Sequence, residues 1–539
     1  MPRERDIDFA DRMSEHEALM WNIEKDPWLN PSGAALTLLD VPVDPARFRR
    51  QVRYGISKVP RLYQRVVPGF GRISTPAWVP DAEFDLDYHI RELELPTPGS
   101  ERQLMDLAAQ LYAEPFDRTR PLWRFVLISG LEGGRGAIYS IFHHAISDGI
   151  GQIRMAELYQ QMSRDEPEHP EIDLEGLIAE AVETHAAKES GGDLATSIVD
   201  TATRSLSHLA RRQIGLGRRA LGEIVLWPAD THRATSKVTN AVDVARSTVA
   251  QLNGSSNETP GGSPLWKQRS RHRHLEKLQI PLAPLKAAAK SQGATINDAF
   301  MAGLTDGAVR YHTERGAVVD KLNTSFVVST RSDNKIGGNS FTPVLVQVSG
   351  TPTSPAHRIK GIHAATEAAR EKASHGGSIS SLSGIANLLP TSVVTKTARD
   401  QAARIDFATS NLRGAPFELF CAGAKVDATI CMGPVAGTAA NITALSYNGN
   451  LDLGLFIDPV AIEDPAGYRA CVEAAFGDLL ALAEEPVKNK RKTPKKTAPK
   501  KSAAKKATAT KKTATKKTAP KKSAAKKTKK KATAKTAAD

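Results

Sequence analysis

Cysteine is scarce in this chain of 539 residues, which contains Cys421, Cys431 and Cys471 and no others. An odd and sparse set argues against a disulfide framework and is typical of a protein from a reducing compartment. The three positions also fit no metal-binding spacing. A Gly-x-Ser-x-Gly motif is absent from the sequence, which argues against a hydrolase that uses an activated serine.

Long apolar runs are missing as well. No stretch reaches the ~18 apolar residues that a membrane-spanning helix needs. The N-terminal segment MPRERDIDFADRMSEHEALMW is charged from its start and contains no apolar core of a secretory leader. We therefore expect a cytoplasmic protein, and any membrane contact is expected to be peripheral.

Acidic residues almost disappear from the C-terminal tail. Between Lys488 and Asp539 there are 22 lysines or arginines and a single acid, so this stretch carries +21. Because the whole chain carries +14, the residues before it carry −7. The high isoelectric point of the sequence, about 9.5, is therefore a property of the tail. Repeated Lys-Lys pairs separated by Ala, Thr and Pro predict disorder over 487–539.

The chain is longer than one hydrophobic core usually allows, which predicts more than one folded part. Helix-like and strand-like patterns alternate in residues 1–165 and again in 265–486, so we predict two α/β halves. Residues 166–264 between them are rich in Ala, Glu, Arg and Leu at helical spacing and end in the loop-like NGSSNETPGGSP. This composition indicates a helical crossover that joins the halves.

Several elements are predicted from local signals. An Asp-Pro pair is favoured at the start of a helix, and glycine-rich turns or Asn-Gly favour hairpins. These signals predict a helix over 46–58 after Asp44-Pro45, strands over 123–129 and 136–144 joined by GLEGG, a hairpin over 445–457 around Asn448-Gly449, and a closing helix over 464–483.

The motif HHAISDG (143–149) lies where the second strand of the first hairpin ends. If the strand includes His144, the two histidines point to opposite faces of the sheet. An imidazole at a strand end can reach into a cleft, and its ordinary pKa near 6.5 suits proton transfer. Without a serine elbow, such a base would deprotonate a hydroxyl that the substrate brings. A histidine that only caps the strand end fits the motif as well.

The remaining residues of the motif are expected to support His144. His143 is predicted to pack or hydrogen-bond behind the site. Asp148 could bind a metal with both histidines, but histidines on opposite faces chelate badly and no fourth ligand is apparent, so no metal is expected. We expect Asp148 to pair with an arginine and fix the turn, and Gly149 to permit a sharp backbone bend.

HHAISDG resembles the HHxxxDG signature of CoA-dependent acyltransferases, which include chloramphenicol acetyltransferase-like and condensation-domain folds. Other stretches resemble segments of the bacterial wax ester synthase/acyl-CoA:diacylglycerol acyltransferase family, in the same order and at plausible spacing. They are PLW (121–123), GATINDAFMAGL around Asn297-Asp298, VVSTRSDNKIGGNSF (327–341), SNLRGAP from Ser410, and ALSYNGNLDLGLFID (444–458). The resemblance covers residues 10 to 485.

The resemblance implies transfer of an acyl group from acyl-CoA to diacylglycerol or to a long-chain alcohol, which makes triacylglycerol or a wax ester. In that family the second histidine is the general base, so the role falls on His144. Acyl-CoA is a co-substrate, and no cofactor is implied. The implied fold is two chloramphenicol acetyltransferase-like α/β halves that meet at a central cleft, with CoA entering from one face and the acceptor from the other.

Four residues outside HHAISDG are weaker candidates for substrate binding. Asn297 and Asp298 either contact substrate or form the first turn of a helix, where the helix dipole favours an acid. Arg331 either pairs with Asp148 or a phosphate of CoA, or lies in a solvated loop. Asn411 either helps to hold the tetrahedral oxyanion or occupies a plain turn.

The tail over 487–539 lies outside the resemblance and looks like the tails of bacterial histone-like proteins. With a charge of +21 it would bind a polyanion in a salt-dependent way, either nucleic acid or an anionic lipid surface. For an enzyme of lipids, as the resemblance implies, that surface would be the inner membrane or a lipid droplet. A tail that only keeps the chain solvated, with no partner, fits as well. Two alternatives to the leading function stay open. One is acylation of a different alcohol acceptor; the other is an inactive homologue that binds lipid droplets or nucleic acid through the tail.

Overall fold

A computed structural model of the chain describes residues 9–69, 74–190, 262–329, 341–375, 387 and 390–484. The chain divides into two units, Met1–Pro486 and Val487–Asp539. The predicted disorder of the tail lies outside the described residues. So do most of the predicted crossover and Arg331.

The described part of the chain contains fourteen strands and eleven α-helices. The strands are β1 (Ser32–Leu39), β2 (Gln64–Val67), β3 (Ala77–Pro80), β4 (Ile90–Glu94), β5 (Trp123–Ser129), β6 (Gly136–His143), β7 (His274–Pro281), β8 (Lys321–Ser329), β9 (Phe341–Ser349), β10 (Phe407–Arg413), β11 (Phe420–Cys421), β12 (Ala424–Met432), β13 (Ala440–Tyr447) and β14 (Asn450–Ile457). The helices are α1 (Glu15–Ile23), α2 (Pro45–Lys58), α3 (Leu86–His89), α4 (Glu101–Ala113), α5 (Gly149–Ala156), α6 (Leu174–Ser190), α7 (Leu282–Ser291), α8 (Ile296–Glu314), α9 (Pro355–His375), α10 (Thr391–Ala402) and α11 (Pro465–Glu484).

Two six-stranded sheets organise the fold. The first has the order β11-β12-β1-β6-β5-β4 and the second the order β7-β14-β13-β10-β8-β9. Helices α7, α8, α9 and α11 build the core of the second sheet around large buried side chains such as Phe300 and Phe476. The predicted α/β class is therefore confirmed. None of the described helices combines the length and apolar character needed to cross a bilayer.

Local signals predicted several elements correctly. The predicted helix over 46–58 is α2, and Oδ1 of Asp44 accepts hydrogen bonds from the first backbone N–H groups of that helix at 2.8 and 3.1 Å. The β13–β14 hairpin turns at Asn448 and Gly449, whose φ values of 40° and 82° are left-handed, as a two-residue hairpin turn requires. One boundary is wrong: β6 ends at His143, so His144 lies in the turn that follows.

Strand β12 comes from late in the chain but belongs to the first sheet. It pairs antiparallel with β1, in a register that runs from Ala34 opposite Met432 to Leu39 opposite Val426. The predicted second half, 265–486, thus contributes strands to the sheet of the first half. The pairing of β12 with β1 links the two halves through backbone hydrogen bonds as well as through side-chain packing.

Candidate active site

The motif HHAISDG forms the end of β6, a turn and the start of α5. His143 lies opposite Ser32 of β1 in the antiparallel register. The backbone N–H of His144 donates to the carbonyl of Pro31 at 3.1 Å, and the N–H of Ile146 donates to the carbonyl of His143 at 2.9 Å. Both histidines are therefore held by the backbone at the edge where β1 begins and β6 ends.

His143 is fully buried, and its hydrogen bonds define one tautomer. Its Nδ1 accepts a hydrogen bond from the backbone N–H of Ala145 at 2.9 Å, so the proton of the neutral ring is on Nε2. The ring of Trp21 meets it edge-on, with centroids 6.3 Å apart. Burial, together with the smaller effects of the charges of His144 and Arg118, lowers the pKa of His143 to about 3. His143 is therefore neutral near pH 7.

Helix α1 and the loop before β5 place a charged pair beside His143. Oε2 of Glu24 lies 3.6 Å from Nε2 of His143 and 2.9 Å from Nη1 of Arg118. The Arg118 guanidinium lies 3.4 Å from the ring centroid of Trp21. Burial raises the pKa of Glu24, and the charge of Arg118 opposes that shift. Ala145 thus hydrogen-bonds Nδ1 of the His143 ring, and the Glu24 carboxylate lies near Nε2, beyond hydrogen-bond distance.

Sequence reasoning missed this contribution of α1. Ser14 and Glu17 form a capping box, which marks the start of the helix in the sequence. Trp21 and Glu24 are three residues apart and so lie on neighbouring positions of one face. That spacing could have indicated a functional face, but it carries no information about which strand end the face meets.

Nε2 of His144 faces a space that Gly33 leaves open. His144 is 8% exposed. A Cβ atom added to Gly33 would lie 3.3 Å from His144 Nε2 and 3.5 Å from each terminal atom of the Gln152 carboxamide. Any residue other than glycine would therefore crowd the imidazole. Neither Gly33 nor Gln152 stood out in the sequence, because the space between them forms only when β1 and α5 meet.

Asp148 is buried and caps helix α5. Its Oδ1 accepts a hydrogen bond from the backbone N–H of Gly151 at 2.9 Å, which satisfies one of the free donors at the helix start. Burial lowers the pKa of His16 on α1, and the nearby charge of Asp148 opposes that shift. The structure thus shows Asp148 fixing the turn, as expected. Its pairing with Arg331 stays a prediction, since Arg331 lies outside the described residues.

Gly149 has a different physical role from the predicted one. Its φ is not in the left-handed region, so no sharp bend requires a glycine there. A Cβ atom at this position would lie 3.2 Å from Cδ2 of Leu412 on β10. Close packing between α5 and the second sheet therefore explains the glycine. The chain does turn between β6 and α5, but the prediction that this turn requires a glycine at 149 does not hold.

Asp298 belongs to the cap of helix α8. Its Oδ2 accepts hydrogen bonds from the backbone N–H and the hydroxyl of Thr295 at 2.9 and 2.7 Å, and it pairs with Nδ1 of His363 at 2.9 Å. Its Oδ1 accepts from the Thr366 hydroxyl at 2.8 Å. Burial acts to raise the pKa of Asp298, but these hydrogen bonds together outweigh burial and lower the pKa. This geometry favours the helix-turn interpretation, and the neighbouring Asn297 is half-buried in the same turn.

Asn411 is a strand residue and not part of a turn. It lies in β10, in parallel register with Ala444 of β13. Its chain neighbour Leu412 contacts Gly149, so β10 reaches the start of α5 at this point. A role for Asn411 with the oxyanion stays a prediction.

The cysteines are poorly suited to act as nucleophiles. All three are buried, and burial raises the pKa of Cys421 and Cys431 to about 12 and that of Cys471 to about 11. Near pH 7 they are thiols, whereas the thiolate is the reactive form. Within the described ranges no three His, Cys, Asp or Glu side chains are grouped so that they could hold a metal ion.

The fold is similar to solved structures of acyltransferases and condensation domains. The wax ester synthase/diacylglycerol acyltransferase from Marinobacter aquaeolei VT8 matches with a TM-score of 0.58 and 19% identity, over 88% of this chain and 100% of that chain. The first condensation domain of the calcium-dependent antibiotic synthetase matches with a TM-score of 0.51 and 16% identity, over 89% and 98% of the two chains. These matches confirm the predicted architecture.

Two family models match the sequence: the wax ester synthase/diacylglycerol acyltransferase catalytic domain over residues 13–300, and the WS/DGAT C-terminal domain over 337–480. A Mycobacterium tuberculosis H37Rv protein that carries the name diacylglycerol O-acyltransferase is 30% identical over 485 residues, 88% of this chain and 93% of the relative. A Mycobacterium bovis protein of the same name is 30% identical over 395 residues, 71% and 79% of the two chains.

The fold and these sequence matches define the chain as an acyltransferase. It belongs to the wax ester synthase/diacylglycerol acyltransferase family. The family predicted from HHAISDG and the later motifs is therefore confirmed.

Proposed function

We propose that the protein transfers a fatty acyl group from acyl-CoA to the hydroxyl of diacylglycerol or of a long-chain alcohol, with His144 as the general base. One observation carries the assignment of the base. Nε2 of His144 lies 3.3 Å from the position that a Cβ of Gly33 would occupy, whereas the neighbouring His143 is fully buried and has its Nδ1 occupied by Ala145.

The proposed reaction is a direct transfer. His144 Nε2 takes the proton of the acceptor hydroxyl while its oxygen attacks the thioester carbonyl carbon. The tetrahedral intermediate collapses with cleavage of the C–S bond, and the protonated His144 returns the proton to the departing CoA sulfur. General-base assistance of this kind contributes roughly 10²- to 10⁴-fold in rate. The raised pKa values of the cysteines support a route without an acyl-cysteine.

We further propose that acyl-CoA is a co-substrate and that the reaction needs neither a cofactor nor a metal. The chemistry requires only a base and a means of placing two bulky substrates together, and positioning itself can supply much of the rate. Hydroxyl attack on a thioester involves no redox change, so no redox group is called for.

The substrate assignment is tested by supplying palmitoyl-CoA with dioleoylglycerol or with hexadecanol to the full-length protein. CoA release and formation of triacylglycerol or wax ester are measured together, and palmitoyl-CoA without an acceptor is the control. We expect acceptor-dependent release and no palmitoylated protein by intact mass spectrometry. If neither dioleoylglycerol nor hexadecanol increases CoA release above the control, the acceptor assignment is overturned. A stable acyl-enzyme would overturn direct transfer.

We also propose that the tail over 487–539 attaches the enzyme to a polyanionic surface, at an anionic membrane or a lipid droplet. The charge of +21 supports this proposal, because polybasic segments gain about 1 kcal/mol for each Lys or Arg near an anionic lipid surface. An enzyme whose acceptors are lipids gains from being held where they accumulate. Nucleic acid is the competing polyanion, and the test is given below.

A further inference from the structure

Gln152 lies beside the proposed base although it belongs to no motif considered so far. It is on the first turn of α5, where its backbone N–H donates to the carbonyl of Asp148 at 2.9 Å. Its side chain is half-buried, and Nε2 donates to the carbonyl of Ser147 at 3.3 Å. This hydrogen bond sets which end of the carboxamide is nitrogen, because only Nε2 can donate to a carbonyl.

The carboxamide and the imidazole border one space. The position that a Cβ of Gly33 would occupy is 3.3 Å from His144 Nε2 and 3.5 Å from both Nε2 and Oε1 of Gln152. A substrate hydroxyl that reaches His144 Nε2 therefore brings its neighbouring atoms close to the amide. An acceptor can thus present two groups here, the hydroxyl to His144 and a second group to Gln152.

The amide retains hydrogen-bonding capacity after its bond to Ser147. A carboxamide has two N–H donors and an acceptor oxygen, and one donor is used. In the part of the chain that the structure describes, no hydrogen bond is formed by Oε1. A half-buried polar group next to a substrate favours a ligand that can satisfy it, because an unmatched group is costly.

We infer that Gln152 is a specificity residue that favours diacylglycerol over simple long-chain alcohols, an inference that rests on the proposed function. Diacylglycerol carries ester carbonyls next to its free hydroxyl, and the second N–H of Gln152 donates to one of them while His144 receives the hydroxyl proton. A long-chain alcohol has only methylene groups at that place. Sites that hydrogen-bond a substrate group discriminate against analogues without it.

The same amide could instead hold the thioester carbonyl of the acyl donor. That role would be independent of the acceptor, because palmitoyl-CoA is common to both reactions. The two roles therefore differ in one measurable quantity, which is the ratio of kcat/KM for diacylglycerol to kcat/KM for the alcohol at fixed palmitoyl-CoA.

The test uses Gln152→Met, which keeps a long unbranched side chain but removes the amide, and Gln110→Met as a matched control at an exposed position of α4. For wild type and both variants, kcat/KM is measured with dioleoylglycerol and with hexadecanol. Loss of one neutral hydrogen bond predicts a fall of about 3- to 10-fold in the ratio for Gln152→Met. No change in the ratio is expected for Gln110→Met.

An unchanged ratio, whether or not both kcat/KM values fall, would overturn the specificity role and leave the proposed function standing. A wild-type protein that uses neither acceptor would overturn the proposed function and this inference with it. If Gln152→Met does not fold, Gln152→Ala provides the same ratio without a long side chain to accommodate.

Discussion

Glu24 Oε2 lies 3.6 Å from Nε2 of His143, and the two residues come from elements more than one hundred positions apart in the chain. Because Nδ1 of the same ring accepts from Ala145, the protonated nitrogen is the one that faces the carboxylate. Helix α1 therefore helps to orient the first histidine of HHAISDG. Since His144 follows directly in the chain, we expect the position of the proposed base to depend on this buried contact.

Substitution of Glu24 tests that dependence. Glu24→Gln keeps the side-chain shape but removes the charge that pairs with Arg118 beside His143. We expect the free energy of unfolding to fall by about 1.5–3 kcal/mol, the usual contribution of a hydrogen bond to a charged group. Activity should also fall. Urea denaturation and CoA release measure the two effects.

Glu175→Gln is the control for this change. Glu175 makes a two-pronged ion pair with Arg53, at 3.0 and 2.9 Å, but its side chain is 72% exposed. Exposed pairs contribute about 0–1 kcal/mol. Equal effects of the two substitutions would contradict a special role for Glu24.

The contact between Gly149 and Leu412 predicts a coupled pair of substitutions. Gly149→Val should destabilise the protein by about 1–3 kcal/mol, because the added atoms crowd the Leu412 side chain at the boundary of the two sheets. Leu412→Ala in the same chain should relieve part of that cost, which a double-mutant cycle from urea denaturation would show. Independent, additive effects would instead favour a purely backbone reason for the glycine.

Protonation of His143 predicts a dependence of stability on pH. Its pKa is about 3 in the folded protein and 6.5 ordinarily, so the unfolded chain binds the proton first as the pH falls. The contribution of the neutral His143 ring to the free energy of unfolding is complete above about pH 6.5. It is lost as the pH falls towards 3, at up to about 1.4 kcal/mol per pH unit. The groups that face the ring are Glu24, Arg118 and His144.

Comparison of His143→Asn with the wild type isolates this effect. The variant should show a shallower loss of unfolding free energy between pH 6.5 and 5, even if it is less stable at neutral pH. His89 contributes a loss of the same sign, since burial lowers its pKa to about 4, but it does so in both proteins. Parallel curves for the two proteins would mean that the His143 pKa is not depressed.

Truncation after Pro486 tests the role of the tail. The shortened protein should lose binding to DNA and to anionic vesicles. Binding by the full chain should weaken steeply as salt rises, because each neutralised phosphate on duplex DNA adds about −0.9 to the slope of log K against log salt concentration. Neutral phosphatidylcholine vesicles are the control. Unchanged binding after truncation would remove the proposal, and retained binding to DNA alone would favour nucleic acid as the partner.

Features with local causes could be predicted from the sequence. The cap at Asp44 and the Asn448-Gly449 turn depend on neighbouring residues, and the structure contains both. Strand patterning around the glycine-rich turn placed HHAISDG at the end of the first hairpin, one residue from its observed boundary. Asp298 carried both a substrate and a helix-cap interpretation in the sequence, and its contacts with Thr295 and His363 favour the cap.

Features with distant causes could not be predicted. The pairing of β12 with β1 joins segments nearly four hundred residues apart, and no local pattern fixes that register. Gly33, Gln152 and Glu24 are ordinary residues in their own segments. They become part of the site only through the packing of β1, α5 and α1, which local sequence patterns do not predict.

The most direct test of the central claim compares His144→Gln with His272→Gln, an exposed histidine on the surface. Both variants and the wild type are assayed for CoA release from palmitoyl-CoA with dioleoylglycerol, after urea denaturation has shown equal stability. A general base at position 144 predicts a loss of roughly 10²- to 10⁴-fold for His144→Gln and wild-type turnover for His272→Gln. Turnover by His144→Gln within a few-fold of the wild type would contradict the account.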